Sequence, residues 1–299
     1  MSVTRLLLGG LRLAAAGAAY LVCSSVSYGL LLASVPSDPT ASDGPLSPTL
    51  AFLLVAGLTT AVMAWLILRS RSSGWRLAGT MIVVFYGVQT FMPQVESLIF
   101  QYSPGFASHL PVAIVPRLLA AGLILACLWV PLTVRLLGRW KPDATAEASS
   151  GPAPTVLDQK WKLLVASVSY AVLYFTFGYY VAWRNPAVTA YYQGTDPGSF
   201  GPSLLNMLRE TPWLPPVQVV RGLLWTGLGL TVVRTLKGSV VEKALAVGML
   251  FAVVMSAGLL LPNPYMPHAV RMAHLLETAS SDFLFGCLVV WLFRPKTAV

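Results

Sequence analysis

The chain has 299 residues, of which 56% are hydrophobic and only 10% charged. A soluble domain carries about 25% charged residues, so a soluble fold of this length could not cover its surface. The net charge of +9 does not indicate a nucleic-acid partner, because the basic residues fall in short clusters at helix ends and form no contiguous basic face.

The first 34 residues resemble a secretory leader, with basic Arg5 and Arg12 followed by an apolar run. The run from Leu13 to Ala33 is too long for a leader's core. No small-x-small cleavage site follows it, and Tyr20-Leu21-Val22-Cys23 is not a lipobox. It is expected to remain as the first membrane helix. Seven further apolar blocks follow, giving eight in all, at about 6–34, 48–68, 77–100, 112–138, 161–183, 214–235, 242–261 and 269–293. Several reach the ~18–20 residues needed to cross a bilayer. The expected fold is an all-α polytopic transmembrane bundle of about eight helices, with the lipid bilayer as its first partner.

Lys and Arg orient it. Fifteen of the 20 lie in the N-terminus, alternate loops and the C-terminus, among them Arg69, Arg71, Arg76, Arg135, Arg139, Lys237 and Arg294. Cytoplasmic loops are enriched in these residues, so both termini are expected in the cytoplasm and the protein in the cell membrane. The other five, Arg117, Arg184, Arg209, Arg221 and Arg271, fall in opposite-side loops or outer helix ends.

The stretch 141–160, with Ser149-Ser150-Gly151-Pro152-Ala153-Pro154, reads as a flexible cytoplasmic linker. It separates a first four-helix half, 1–140, from a second, 161–299. The longest outer loop, 184–213, contains start signals for two short helices near 187–192 and 203–209, where Asn185-Pro186 and Gly201-Pro202 precede them. This loop is expected either to cap the outer face or to connect along it. The halves also share a pattern. Gly79 is followed fourteen residues later by Pro93, and Gly248 by Pro262; each such helix is third in its half and precedes a helix with an outer arginine, Arg117 or Arg271. This spacing suggests a parallel internal repeat with a site between the halves.

Ionisable groups inside a membrane segment cost about 2.5–3.5 kcal/mol each, so their positions carry information. The last helix places Arg271, His274, Glu277, Thr278, Ser281 and Asp282 within about 140° of one another. Eleven residues separate Asp282 from Arg294, roughly half a bilayer at ~1.5 Å per residue, so Asp282 should lie near the midplane. The third helix adds Gln89 and Glu96, seven apart on one face with Pro93 between them. Arg117, Arg221 and Arg271, together with His109, His268 and His274, belong to the same outer half. One charged layer is therefore expected, formed by Glu96, Glu277 and Asp282 facing Arg117, Arg221, Arg271 and His274.

The aromatic residues Tyr170, Tyr174, Phe175, Phe177, Tyr179, Tyr180 and Trp183, with Trp213 and Trp225, read as an interfacial belt or as the lining of a pocket above the charged layer. Cys23, Cys127 and Cys287 lie in apolar blocks and read as small hydrophobes.

Three functions fit this layer, beside a plain reading in which acids and arginines neutralise one another. A small transporter or permease would use Asp282 or Glu277 to bind a proton or cation, with Gln89 and Ser281 as further ligand contacts and the arginines as countercharges. An enzyme at the outer leaflet would use Glu277 and His274 as acid and base on a small-molecule or lipid substrate. A non-catalytic sensor or complex subunit would work through a partner chain. No cofactor motif occurs: there is no Walker loop, dinucleotide fingerprint or Gly-x-Ser-x-Gly elbow. A divalent metal would require His274 and Glu277 plus a third ligand, with Glu96 or His268 the candidate.

Overall fold

The computed structural model describes residues 3–34, 44–101, 110–141 and 159–294. Among them, eight helices are long and apolar enough to cross a membrane. They are α1 (Val3–Leu32), α2 (Pro48–Arg69), α3 (Gly74–Phe100), α4 (Val112–Leu136), α5 (Lys160–Trp183), α8 (Leu214–Thr235), α9 (Val240–Leu260) and α10 (His268–Leu292). Two short helices, α6 (Pro186–Tyr191) and α7 (Phe200–Glu210), occupy the loop between α5 and α8. The bounds lie within a few residues of the apolar blocks, because a run of apolar residues has nowhere to end except near polar or helix-breaking ones. Positions 142–158 of the expected linker and His109 lie outside the described residues.

Local chemistry sets the helix starts. Ser47 accepts from the Leu50 N–H, and Pro48 fills the first position of α2. Ser239 accepts from the Glu242 N–H at the head of α9. Asn185 accepts from the Ala187 N–H ahead of α6, as its sequence signal implied. Three long helices contain a π-helical turn: Gly87–Phe91 in α3, Gly178–Trp183 in α5 and Leu250–Val254 in α9. Such a turn widens the helix locally and often marks functional positions.

In the N-terminal group α1 packs on α2 and α4, and α3 packs on α4; in the C-terminal group α5 packs on α8 and α10, and α9 packs on α10. Across the interface α2 meets α9, α3 meets α8, and the π turns of α3 and α9 touch. At the end of the bundle near the termini, the α2–α3 and α8–α9 turns pair. The Arg71 N–H donates to the Thr235 carbonyl at 2.7 Å, and the Lys237 N–H donates to the Arg69 carbonyl at 2.8 Å. Arg139 secures the α2–α3 turn by donating to the Ser70 and Ser72 carbonyls at 2.8 and 3.0 Å.

The interior is aromatic and close-packed. Trp129 meets Tyr20 edge-on with centroids 5.0 Å apart and Phe85 at 4.9 Å. In the other group Phe285 meets Tyr170 at 5.2 Å and Phe251 at 6.3 Å. Small residues bring helices together: a Cβ on Gly286 of α10 would lie 2.8 Å from the Gly248 Cα of α9. Outward faces are apolar, with Leu7 at 69% and Leu30 at 72% exposure, as lipid contact requires. Cys127 joins this exposed surface, while Cys23 and Cys287 are partly buried.

Candidate functional site

The polar stripe of α10 turns inward. Glu277, Ser281 and Asp282 are buried and, together with Thr278, line a cavity of about 20 Å³ completed by Glu96 of α3 and Tyr170 and Tyr174 of α5. That volume holds roughly one water.

Two of its three acids have basic partners. Arg221 of α8 is 1% exposed. It donates Nη2–H to Glu96 Oε2 at 3.0 Å and Nη1–H to Gln218 Oε1 at 2.8 Å. Its guanidinium also lies over the Tyr170 and Tyr174 rings, 5.7 and 5.9 Å from their centroids, a cation–π arrangement that suits a desolvated arginine. Trp225 Nε1–H donates to the Tyr170 hydroxyl at 3.2 Å and holds that ring in place.

His274 Nδ1 lies 2.8 Å from Glu277 Oε2, and His274 Nε2 lies 3.1 Å from the Tyr192 hydroxyl. With Glu277 ionised, Nδ1–H donates to the carboxylate and Nε2 accepts from the phenol. Glycine permits this approach: a Cβ on Gly178, the first residue of the α5 π turn, would stand 3.3 Å from Glu277 Oε1. Tyr192 follows α6 and packs against Trp183 and Phe100. Burial raises its phenol well above the ordinary value and pushes that of Tyr191 up to about 12. Both therefore keep their protons at neutral pH, and Tyr191 donates to the Tyr265 carbonyl at 2.6 Å. Tyr179 donates to the Gly198 carbonyl, and Tyr180 stacks on Phe200 at 5.5 Å. The α5–α8 loop is thus anchored over the ends of α5 and α10 and covers the His274–Glu277 pair.

Asp282 is the exception. It is 5% exposed, lines the cavity, and makes no hydrogen bond or ion pair with the described residues.

Arg117, Gln89 and Arg271 do not line this cavity. Arg117 does not join the layer; it is exposed and donates to the Ser34 hydroxyl at 2.9 Å. Gln89 faces a different cavity, donating from Nε2 to the Tyr20 hydroxyl at 2.6 Å. Arg271 is buried but donates to the Met266 carbonyl at 2.7 Å, bracing the turn before α10. His268 packs against Gly44, whose φ of +112° and lack of a side chain allow the close approach. Ser280 and Ser281 donate back to the Leu276 and Glu277 carbonyls at 2.5 and 2.8 Å, as helical serines in membranes commonly do. Among the described residues no three His, Cys, Asp or Glu side chains are grouped to hold a metal. His274 and Glu277 supply two ligands, and the Glu96 carboxylate is engaged by Arg221.

Sequence reasoning did not single out Tyr192 or Gln218, and it left Tyr170 and Tyr174 in the aromatic belt. The four-residue spacing of Tyr170 and Tyr174 puts them on one helix face, and Gln218 lies one turn before Arg221. Tyr192 had no comparable signal, since its partner is 82 residues away.

No protein-family model matches this chain, no curated protein is similar to it, and no solved structure matches it. The fold and the buried charged layer define the class: a multi-pass α-helical membrane protein.

Proposed function

We propose that the protein is a small proton-coupled transporter in which Asp282 takes up and releases the coupling proton. The observation that carries this reading is the lone carboxyl group of Asp282, which faces a one-water cavity while Glu96 and Glu277 each have a basic partner. Buried acids in membrane proteins serve proton relays when they face water-accessible space and ion-pair packing when they are neutralised. Asp282 fits the first description and Glu96 the second.

The cavity volume sets the size of what binds. Organic ligands need about 300–1,000 Å³, so about 20 Å³ admits a water and a proton but no organic solute. The same figure disfavours an outer-leaflet enzyme at this site, since a lipid-linked substrate has no room beside His274 and Glu277. The proton's route runs from Tyr192 through His274 and Glu277, then by one water to Asp282. With both termini in the cytoplasm, as the arginine distribution implies, this route points toward the outer side, beneath the α5–α8 loop that buries Tyr192. A duplicated four-plus-four design is supported by the recurrent packing order and the reciprocal hydrogen bonds between the α2–α3 and α8–α9 turns. Rocking of the two groups across the α2, α3, α8 and α9 interface would then alternate access.

The test is proton entry into vesicles reconstituted with purified protein, read by a trapped pH-sensitive dye under an imposed pH gradient. The native protein is expected to carry flux, and Asp282→Asn to lose at least about tenfold of it while remaining monodisperse. Flux unchanged by Asp282→Asn overturns the proposal.

A further inference from the structure

A second cavity, of about 370 Å³, lies among α1, α2, α3 and α9. Its wall is mostly apolar, formed by Phe52, Val55, Met255 and Leu261, and its polar side carries Gln89, Ser24 and Tyr28. We propose that it binds an uncharged, largely apolar molecule that presents one hydrogen-bond donor to Gln89.

Four observations define that class. The volume falls within the range of pockets that hold organic ligands. Among the described residues no Lys, Arg, Asp, Glu or His lines the cavity, so a charged ligand would lose its hydration without gaining a counter-ion. Gln89 sits in the π turn of α3 and donates from Nε2 to Tyr20, while its Oε1 is buried with no hydrogen-bond partner among the described residues. An unmatched buried acceptor is costly to the free protein and favourable toward a ligand that donates to it. Finally, Ser25 and Gly258 line the same cavity and are exposed, and both lie within membrane-length helices. The opening between α1 and α9 therefore faces the bilayer, and an apolar ligand can enter from it. Gly258 contributes open space, since a Cβ there would meet nothing within 4 Å.

The proposal concerns binding and does not depend on proton movement through Asp282. The probe is 1-aminoanthracene, uncharged at neutral pH, carrying N–H donors and brightening in apolar surroundings; donor-free anthracene is its control. Both are titrated into native protein in nanodiscs of defined lipid. Saturable binding of 1-aminoanthracene is expected. Gly258→Trp, which fills the cavity, should abolish it. Gln89→Leu keeps the volume and should weaken 1-aminoanthracene about tenfold, the worth of one hydrogen bond, while leaving anthracene unchanged. Dioctanoylglycerol and 1-octanol are the competitors. Displacement by dioctanoylglycerol supports a lipid alcohol as the occupant, and displacement by 1-octanol alone supports a smaller solute. Absence of saturable binding, or binding unaltered in both Gly258→Trp and Gln89→Leu, overturns the proposal. Because the readout is binding, flux lost in Asp282→Asn with no probe site, or the reverse, separates this failure from that of the transport reading.

Discussion

The two cavities occupy comparable places and differ in nearly every other respect. Each borders the first helix of its group through a tyrosine, Tyr20 or Tyr170, and each receives residues from the third helix of the other group. Helix α3 sends Glu96 into the C-terminal cavity, and α9 sends Met255 and Gly258 into the N-terminal one. Counting from aromatic residues that hold the same packing position, Asp282, Ser281 and Glu277 lie three, four and eight residues before Phe285. At the same steps before Trp129 stand Ala126, Leu125 and Ala121. Arg221 precedes Leu236 of the turn bridge by fifteen residues, and Val55 precedes Ser70 by fifteen. A few side chains on one helix frame thus separate a charged cavity of about 20 Å³ from an apolar one of about 370 Å³.

The comparison can be tested by exchanging these side chains. Arg221→Val should have the largest effect, because it gives α8 the residue α2 carries and strands Glu96. Breaking a buried ion pair costs about 3–5 kcal/mol, and the lower end applies because the Glu96 side chain keeps 22% of its exposure. Denaturant unfolding in detergent measures the loss, and adding Glu96→Gln should recover most of it. A single-variant loss below about 1 kcal/mol, the value of a solvated pair, would mean the layer is wet and the contrast overstated.

Gly286→Val comes next, since Val130 holds the matching step on α4. The new side chain meets the Gly248 backbone, and forcing α9 from α10 should cost about 2–3 kcal/mol. Thermal unfolding would reveal an unchanged midpoint if the helices separate freely.

Trp129→Phe makes the two aromatic trios closely alike. It removes the Nε1–H bond to the Ala16 carbonyl, 2.9 Å long, and should cost about 1–2 kcal/mol by the same unfolding measurement. A larger loss would show that α1 depends on this one contact.

Tyr192→Phe is expected to be the mildest, at about 1 kcal/mol or less in stability. Its informative readout is flux: removing the hydroxyl next to His274 should slow proton entry severalfold and leave 1-aminoanthracene binding unchanged. Equal slowing by Tyr191→Phe, whose hydroxyl bonds Tyr265 instead, would assign the effect to the loop's fit and not to the relay.

Much of the frame was legible because it follows from local rules. An apolar run of sufficient length specifies a span wherever it occurs. Asn185 before Pro186 specifies a helix start, and residues three and four apart on α10 must share a face. Those rules located eight spans and the polar stripe from Arg271 to Asp282 without knowledge of any neighbour. They could not assign partners. Glu96 meets Arg221 across 125 positions, whereas Arg117, of the same charge and expected in the same layer, bonds Ser34 instead. Gln89 and Glu96 share a helix face in the sequence but serve different cavities, because the π turn and the packing of α3 between the two groups divide them. The sequence by itself determined which residues are polar and roughly where along its span each lies, since composition and helical rise are local. Only the tertiary structure decided that Asp282 has no hydrogen-bond or ion-pair partner among the described residues, and that one cavity measures about 20 Å³ and the other about 370 Å³, since burial and volume depend on which helices meet.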